Sequence, residues 1–134
     1  FDWDSMLSFE GNTSPYLQYA YTRIYSIFEK TSFGSEDIKG DLQISNNEER
    51  KLALVLLNFG ETLEQVAAQG YPHILCSYLY DLASSYMVFY EHCPILKRDI
   101  PPTIKMSRLI LSKTTSQILK KGLNLLGIEV MEKM

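Results

Sequence analysis

Residues 14–28 read SPYLQYAYTRIYSIF, and this stretch decides the fold because its apolar residues repeat at the period of an α-helix. Ser14 is suited to cap a helix, and Pro15 suits the first helical position, where no backbone N–H is needed. At about 100° per residue, one set of side chains falls within a narrow arc, with the spacing typical of a buried helix face. That set is Leu17, Tyr21, Ile24 and Phe28.

A second arc of the same helix lies about a quarter turn away and combines aromatic rings with a cation. Such an arc packs against a neighbouring helix with its hydroxyls at the rim, or it forms an exposed platform for single-stranded nucleic acid. The spacing alone leaves both interpretations open. The second arc consists of Tyr16, Tyr19, Ala20, Arg23 and Ile27.

The composition indicates one globular domain. The chain has 134 residues, of which 46% are apolar and 22% charged, and a chain of this length buries roughly two-thirds of its unfolded surface. It has no apolar run near the ~20 residues that span a bilayer, and its first residues lack the basic and apolar regions of a signal peptide. We therefore expect a cytoplasmic protein with no membrane partner. Because the chain does not begin with Met, we also expect a domain of a longer protein.

Charge is unevenly distributed along the chain. The formal net charge is −3, but residues 1–91 carry −8 and residues 92–134 carry +5. The overall balance therefore does not indicate nucleic-acid binding, and it supports at most a local basic surface. No DNA partner is expected.

The periodicity predicts an all-α, antiparallel helical bundle. Residues 1–13, FDWDSMLSFEGNT, are expected to form a short helical turn and then a loop closed by Gly11 and Asn12. Cys76 and Cys93 lie on one predicted helix, too far apart to form a disulfide with each other, so both are expected to be free. The predicted helices span 15–31, 47–69, 72–93 and 103–126, with a surface loop between the first two.

Few residues suggest catalysis. Residues 105–108, KMSR, are similar to the phosphate-binding KMSK loop of class I aminoacyl-tRNA synthetases, but they lie at the start of a predicted helix. His73 and His92 have no zinc-ligand spacing, and no glycine-rich phosphate loop occurs. We therefore expect no catalytic residue, metal site or cofactor within this chain.

Several segments together resemble one family. They are SFEGNTSPYLQYAYTRIYSIF, YLYDLA, FYEHCPIL and RLILSKTTSQILKKGLNLLGIEVMEKM. In this order they resemble the C-terminal anticodon-binding (DALR) domain of bacterial arginyl-tRNA synthetase, with the most specific matches in the Y-x-x-Y-A-x-x-R run and the G-I-E-x-x-E-x-M ending. The resemblance covers nearly all of residues 1–134 as a single domain.

The resemblance implies a set of RNA-binding residues. The first helix would present its tyrosines and arginine to the anticodon, with a small residue leaving room beside them. A tyrosine near the end of the third predicted helix and the last methionine of the chain would complete the pocket. The implied RNA-binding residues are Tyr16, Tyr19, Ala20, Arg23, Tyr90 and Met134.

The resemblance also implies a function and partners. The bundle would be of the type found in class I synthetases and would bind the anticodon arm of arginine tRNA. An upstream catalytic domain of the same protein would use ATP with Mg²⁺ to join arginine to that tRNA. Two alternatives stay open: a helical bundle whose tyrosine-rich face contacts another protein, and the anticodon domain of another class I synthetase, such as the cysteinyl or methionyl enzyme.

Overall fold

Helices form almost all of the regular structure. The structure is a computed structural model; it describes the backbone of residues 3–31 and 33–127, and side chains from residue 15 onward, apart from Ser35. No strand occurs within these ranges, and the all-α prediction is confirmed. The helices are α1 (Trp3–Lys30), α2 (Asn47–Leu57), α3 (Phe59–Gln69), α4 (Pro72–His92) and α5 (Pro102–Leu125), with one short 3₁₀ turn at Ser35–Asp37.

The first helix is longer than predicted. The loop expected around Gly11 and Asn12 is instead part of α1, so that expectation is wrong. Pro15 lies inside the helix rather than at its start. Proline removes one backbone donor from the helical ladder, but the residues on both sides stay helical, so this single loss does not end α1.

The predicted helix over 47–69 is two helices, because the chain turns at Asn58. The backbone N–H of Asn58 bonds to the carbonyl of Val55 at 3.1 Å, in the tight pattern of a 3₁₀ turn. The Tyr78 hydroxyl donates to the same carbonyl at 2.6 Å. Burial raises the pKa of Tyr78 to about 12, so its hydroxyl stays a neutral donor. The Val55 carbonyl is thus satisfied without a bond from the next α-helical turn.

Proline, glycine and asparagine set the other helix ends close to the predicted positions. Pro72 and Pro102 begin α4 and α5, where a missing N–H costs nothing. Gly70 ends α3 with a φ of 70°, a left-handed conformation that glycine adopts without strain. Asn46 caps α2, since its side-chain oxygen accepts from the N–H of Glu49 at 2.9 Å.

Helix α4 is the centre of the bundle and packs against all the other helices. Five side chains along its buried face are each at most 3% exposed. Burying large aliphatic and aromatic side chains of this kind stabilises a domain by roughly 1.5–3 kcal/mol each. The five are Leu75, Leu79, Leu82, Tyr86 and Phe89.

Helices α4 and α5 run in opposite directions. Tyr86 of α4 meets Ser112 of α5 with their hydroxyls 3.0 Å apart. Toward the other ends of the same two helices, Gly122 lies against the side chain of Leu79. Rising numbers on α4 therefore meet falling numbers on α5, as in an antiparallel bundle.

Helices α1 and α4 run in the same direction and also touch. Tyr16 of α1 contacts Tyr80 near the middle of α4, and Arg23 contacts Tyr90 near the end of α4. Side chains along α1 and α4 therefore meet in register. This shared surface carries most of the residues implied to bind RNA.

A buried ion pair joins α2 to α5. Glu49 is 0% exposed and Arg108 is 9% exposed, with Arg108 Nε and Glu49 Oε2 separated by 3.7 Å. Arg108 also donates to the carbonyl of Pro94 at 2.6 Å, and the backbone and hydroxyl of Ser45 donate to Glu49. The pair thus connects the loop before α2 with the linker that precedes α5.

The KMSR residues lie in the first two turns of α5, as predicted. Ser107 is fully buried; its hydroxyl accepts from the N–H of Gln43 at 2.9 Å. Together with the bonds of Arg108, this places two of the four residues in the packing between α5 and its neighbours.

Candidate nucleic-acid interface

The structure corrects the division of α1 into two arcs. They are here called the first stripe (Leu17, Tyr21, Ile24 and Phe28) and the second stripe (Tyr16, Tyr19, Ala20, Arg23 and Ile27). Leu17 and Ile24 of the first stripe are buried, as predicted, at 2% and 0% exposure, whereas Tyr21 and Phe28 are only partly buried. Ala20 and Ile27 of the second stripe are buried too, at 0% and 3%. The expectation that Ala20 leaves open surface beside the tyrosines is therefore wrong. Helix α1 packs against both α4 and α5, so it buries a wider arc than one neighbour would require.

Three members of the second stripe remain accessible. Tyr19 is 43% exposed, whereas Tyr16 and Arg23 are partly exposed. The exposed part of the second stripe is therefore aromatic and cationic, without Ile27, the aliphatic residue that the helical pattern had placed there.

Arg23 lies between two aromatic rings. Its guanidinium carbon is 4.8 Å from the centre of the Tyr19 ring and 4.7 Å from the centre of the Tyr90 ring. It also donates a hydrogen bond to the Tyr19 hydroxyl. A cation over a ring at this distance is stabilised by about 0.5–1 kcal/mol at an exposed site. The structure thus brings Arg23 and Tyr90 together, from positions 67 residues apart.

The electrostatics keep Arg23 charged. Partial burial lowers the pKa of Arg23, but its hydrogen bond to Tyr19 and the nearby Tyr90 hydroxyl raise it more, so the pKa lies above its ordinary value. The guanidinium is therefore a fixed positive charge that carries several N–H donors.

Tyr80 was not among the residues expected in the site. Its ring centre lies 5.5 Å from that of Tyr16, with an angle of 41° between the ring planes, and the side chain is 45% exposed. Tyr80 follows Leu79, which belongs to the buried face of α4. The sequence signal is a large aromatic residue at the edge of a buried face, but helical period does not determine whether such a residue is exposed.

These side chains form one surface along α1 and α4, here called the aromatic face. Aromatic rings next to a cation suit unpaired nucleobases, which stack on rings and hydrogen-bond along their edges. The tyrosine hydroxyls and the guanidinium supply polar groups at the same surface. The aromatic face consists of Tyr16, Tyr19, Arg23, Tyr80 and Tyr90.

Other predicted features fall outside the described residues or outside the aromatic face. Met134 and the tail after Gly127, which the sequence predicts to pack back on α1, lie outside the described part of the chain. Cys76 and Cys93 are buried and form no disulfide with each other, as predicted. Within residues 3–31 and 33–127, no three potential metal ligands cluster, and no helix there has the length and hydropathy of a membrane span.

Comparison with known proteins places the chain in a family. Residues 17–134 match the DALR anticodon binding domain, and the chain belongs to this family. Arginine–tRNA ligases from Saccharophagus degradans and Mannheimia succiniciproducens are 54% and 56% identical to it over 134 and 135 residues. The matches cover the whole chain but 23% of each ligase, so the chain spans about a quarter of its relatives' length.

Solved structures agree with this assignment. The arginyl-tRNA synthetase of Thermus thermophilus superposes with a TM-score of 0.81 at 38% identity, covering the whole chain and 23% of that structure. The arginyl-tRNA synthetase of Plasmodium falciparum gives a TM-score of 0.81 at 36% identity over the same share. The helical arrangement described above is thus that of the anticodon-binding domain in these enzymes.

Proposed function

We propose that this chain binds the anticodon arm of arginine tRNA within a longer enzyme that joins arginine to that tRNA. The family supports the first part of this proposal, and the ligases that match the whole chain support the second. The remainder of the protein would hold the catalytic domain and would use ATP with Mg²⁺. Such an enzyme would act in the cytoplasm, where its tRNA is found.

The observation that carries the proposal is the position of Arg23 between the rings of Tyr19 and Tyr90. An unpaired base that enters the aromatic face meets ring surfaces for stacking and guanidinium donors for its edge. Base stacking on an aromatic side chain contributes about 1–3 kcal/mol. Donors from Arg23 add selectivity, because they favour a base that presents acceptors.

Cytosine in the middle of the anticodon fits these groups. Every arginine codon has G as its second base, so every arginine tRNA has C at the middle anticodon position. Cytosine presents acceptors at N3 and O2, which suit the donors of Arg23, and its N4 amino group is a donor that needs an acceptor. Tyr19 and Tyr90 supply hydroxyl oxygens near Arg23 that serve as acceptors. We therefore propose that the Arg23 end of the aromatic face binds the middle base.

The test is aminoacylation by the full-length enzyme with arginine tRNA changed at each anticodon position in turn. Replacing the middle C should lower kcat/KM more than replacing either neighbour. Arg23→Gln should reduce this discrimination, because the variant loses the charged guanidinium donors and keeps only a shorter, neutral amide. Equal activity on all anticodon variants would contradict the proposal.

Arg50→Gln is a matched control. Arg50 is exposed on α2 and lies outside the aromatic face, so its loss should leave discrimination unchanged.

Salt dependence separates RNA binding from a protein interface. Binding through phosphates weakens steeply as salt rises, whereas an apolar protein interface changes little. A tRNA affinity insensitive to salt would argue against RNA contact through this domain.

A further inference from the structure

The aromatic face has two separate ends. At one end, Arg23 lies between Tyr19 and Tyr90. At the other end, Tyr80 contacts Tyr16. The base assigned above to the Arg23 end makes no use of Tyr80, which is 45% exposed and one of the larger apolar side chains on the surface.

One base cannot occupy both ends. Tyr16 and Arg23 are seven residues apart on α1, which places them about 10 Å apart along the helix axis. Successive bases in a stacked strand rise only about 3.4 Å. A base bound beside Arg23 therefore leaves the pair of Tyr16 and Tyr80 for another nucleotide of the same strand.

The two ends differ in chemistry. The Arg23 end carries a positive charge and several donors, so it distinguishes one base edge from another. The other end consists of two tilted phenol rings, with ring centres 5.5 Å apart. Stacking on such rings tolerates any base, because every base has a π-face. This end would therefore contribute binding affinity without distinguishing one base from another.

We propose that Tyr80, supported by Tyr16, forms a second base-binding subsite that stacks an unpaired base of the anticodon loop other than the one bound at Arg23. This inference rests on the proposed function, because it requires that the aromatic face binds RNA. It adds a residue of α4 to the interface and extends the interface toward the start of that helix.

The experiment is a coupling measurement with the full-length enzyme. Dissociation constants are measured for arginine tRNA and for tRNAs in which each anticodon-loop nucleotide in turn is made abasic. Tyr80→Leu keeps apolar bulk but removes the ring, so it should weaken binding of intact tRNA about 5- to 150-fold. At one loop position, removing the base should raise the dissociation constant of this variant by no more than about twofold, because the ring on which that base stacks is already absent.

Two further variants complete the design. Tyr80→Phe keeps the ring and should bind within about twofold of the wild-type enzyme, since stacking does not need the hydroxyl. In Arg23→Gln, the coupled loop position should differ from the one coupled to Tyr80. The salt dependence of binding should be unchanged in Tyr80→Leu, because no phosphate contact is removed.

Each other outcome has a distinct meaning. If Tyr80→Leu binds like the wild-type enzyme while Arg23→Gln binds weakly, the second subsite is refuted and the proposed function stands. If neither variant changes binding, the proposed function fails as well. If the effects of Tyr80→Leu and of base removal add at every loop position, the ring acts through the fold rather than by stacking a base, and the inference is overturned.

Discussion

Neighbouring residues on α1 serve different purposes. Ile24 is 0% exposed and belongs to the core, whereas Arg23 is partly exposed and contacts two rings of the aromatic face. One step of about 100° around the helix separates them. Variants of these two residues therefore test whether the buried and exposed sides of α1 are correctly assigned.

Ile24→Ala should lower the free energy of unfolding by about 2–4 kcal/mol, because it leaves a cavity in a packed core. Arg23→Ala should lower it by only about 0.5–1 kcal/mol, the value of its contacts with the rings. Thermal and urea denaturation of both variants measure the difference. A larger loss for Arg23→Ala than for Ile24→Ala would mean that the two sides are reversed.

Exposure of single residues was only partly predictable from the sequence. The pattern correctly placed Leu17 and Ile24 in the core, because their spacing needs only the period of the helix. Ala20 and Ile27 were misplaced, because the width of the buried arc depends on how many helices pack against α1. Tyr80 was missed for a related reason: helical period identifies the centre of a face but not the residues at its edge.

At the scale of helices, the contact between α4 and α5 depends on a glycine. A Cβ atom added at Gly122 would lie 2.6 Å from a terminal carbon of Leu79, and Leu79 itself is 0% exposed. The leucine cannot move away without disturbing the core. In contrast, a Cβ atom at Gly60 in α3 would meet no atom within 4 Å.

Gly122→Ala should destabilise the chain by about 1–3 kcal/mol, the usual cost of overpacking a core. Gly60→Ala is the matched control. It should stabilise the chain by about 0.4–1 kcal/mol, because alanine reduces the freedom of the unfolded chain. Denaturation midpoints of the two variants provide the comparison. Equal stability of the two would show that α4 and α5 can separate to admit a methyl group.

Helix boundaries were predictable where a local signal forces them. Pro72, Pro102 and Gly70 mark ends of helices by their own backbone chemistry. The turn at Asn58 has no such local signal. It is stabilised instead by Tyr78, which is distant in sequence and donates a hydrogen bond to the backbone carbonyl of Val55. The extension of α1 through Pro15 was missed for the opposite reason. Proline is a strong local signal for the start of a helix, but here the residues before it are helical as well.

At the scale of the whole molecule, the buried pair of Glu49 and Arg108 holds separate parts of the chain together. Both charges are removed from water, so each depends on the other and on its hydrogen bonds. Pro94 and Ser45 supply those bonds from two different loops. The pair thus fixes the arrangement of helices around the end of α4.

Arg108→Met should destabilise the chain by about 3–5 kcal/mol, because it leaves the carboxylate of Glu49 buried without its partner. Adding Glu49→Gln to this variant should recover part of the loss, since the amide needs no counter-charge. Urea denaturation of the single and double variants tests this dependence. If the double variant is no more stable than Arg108→Met, charge pairing is not what makes Arg108 important.

The contacts between α5 and the loop before α2 have a consequence for the order in which the chain folds. The backbone around Ile38 and Gln43 is held by Lys113 and Ser107, which follow 75 and 64 residues later. A ribosome that adds ~5–20 residues per second needs roughly 4 to 15 s to synthesise the longer interval. Throughout that time the loop between α1 and α2 cannot form these hydrogen bonds, because their partners on α5 have not yet been synthesised. Nascent chains should therefore expose this segment to chaperones and proteases until α5 has emerged and docked.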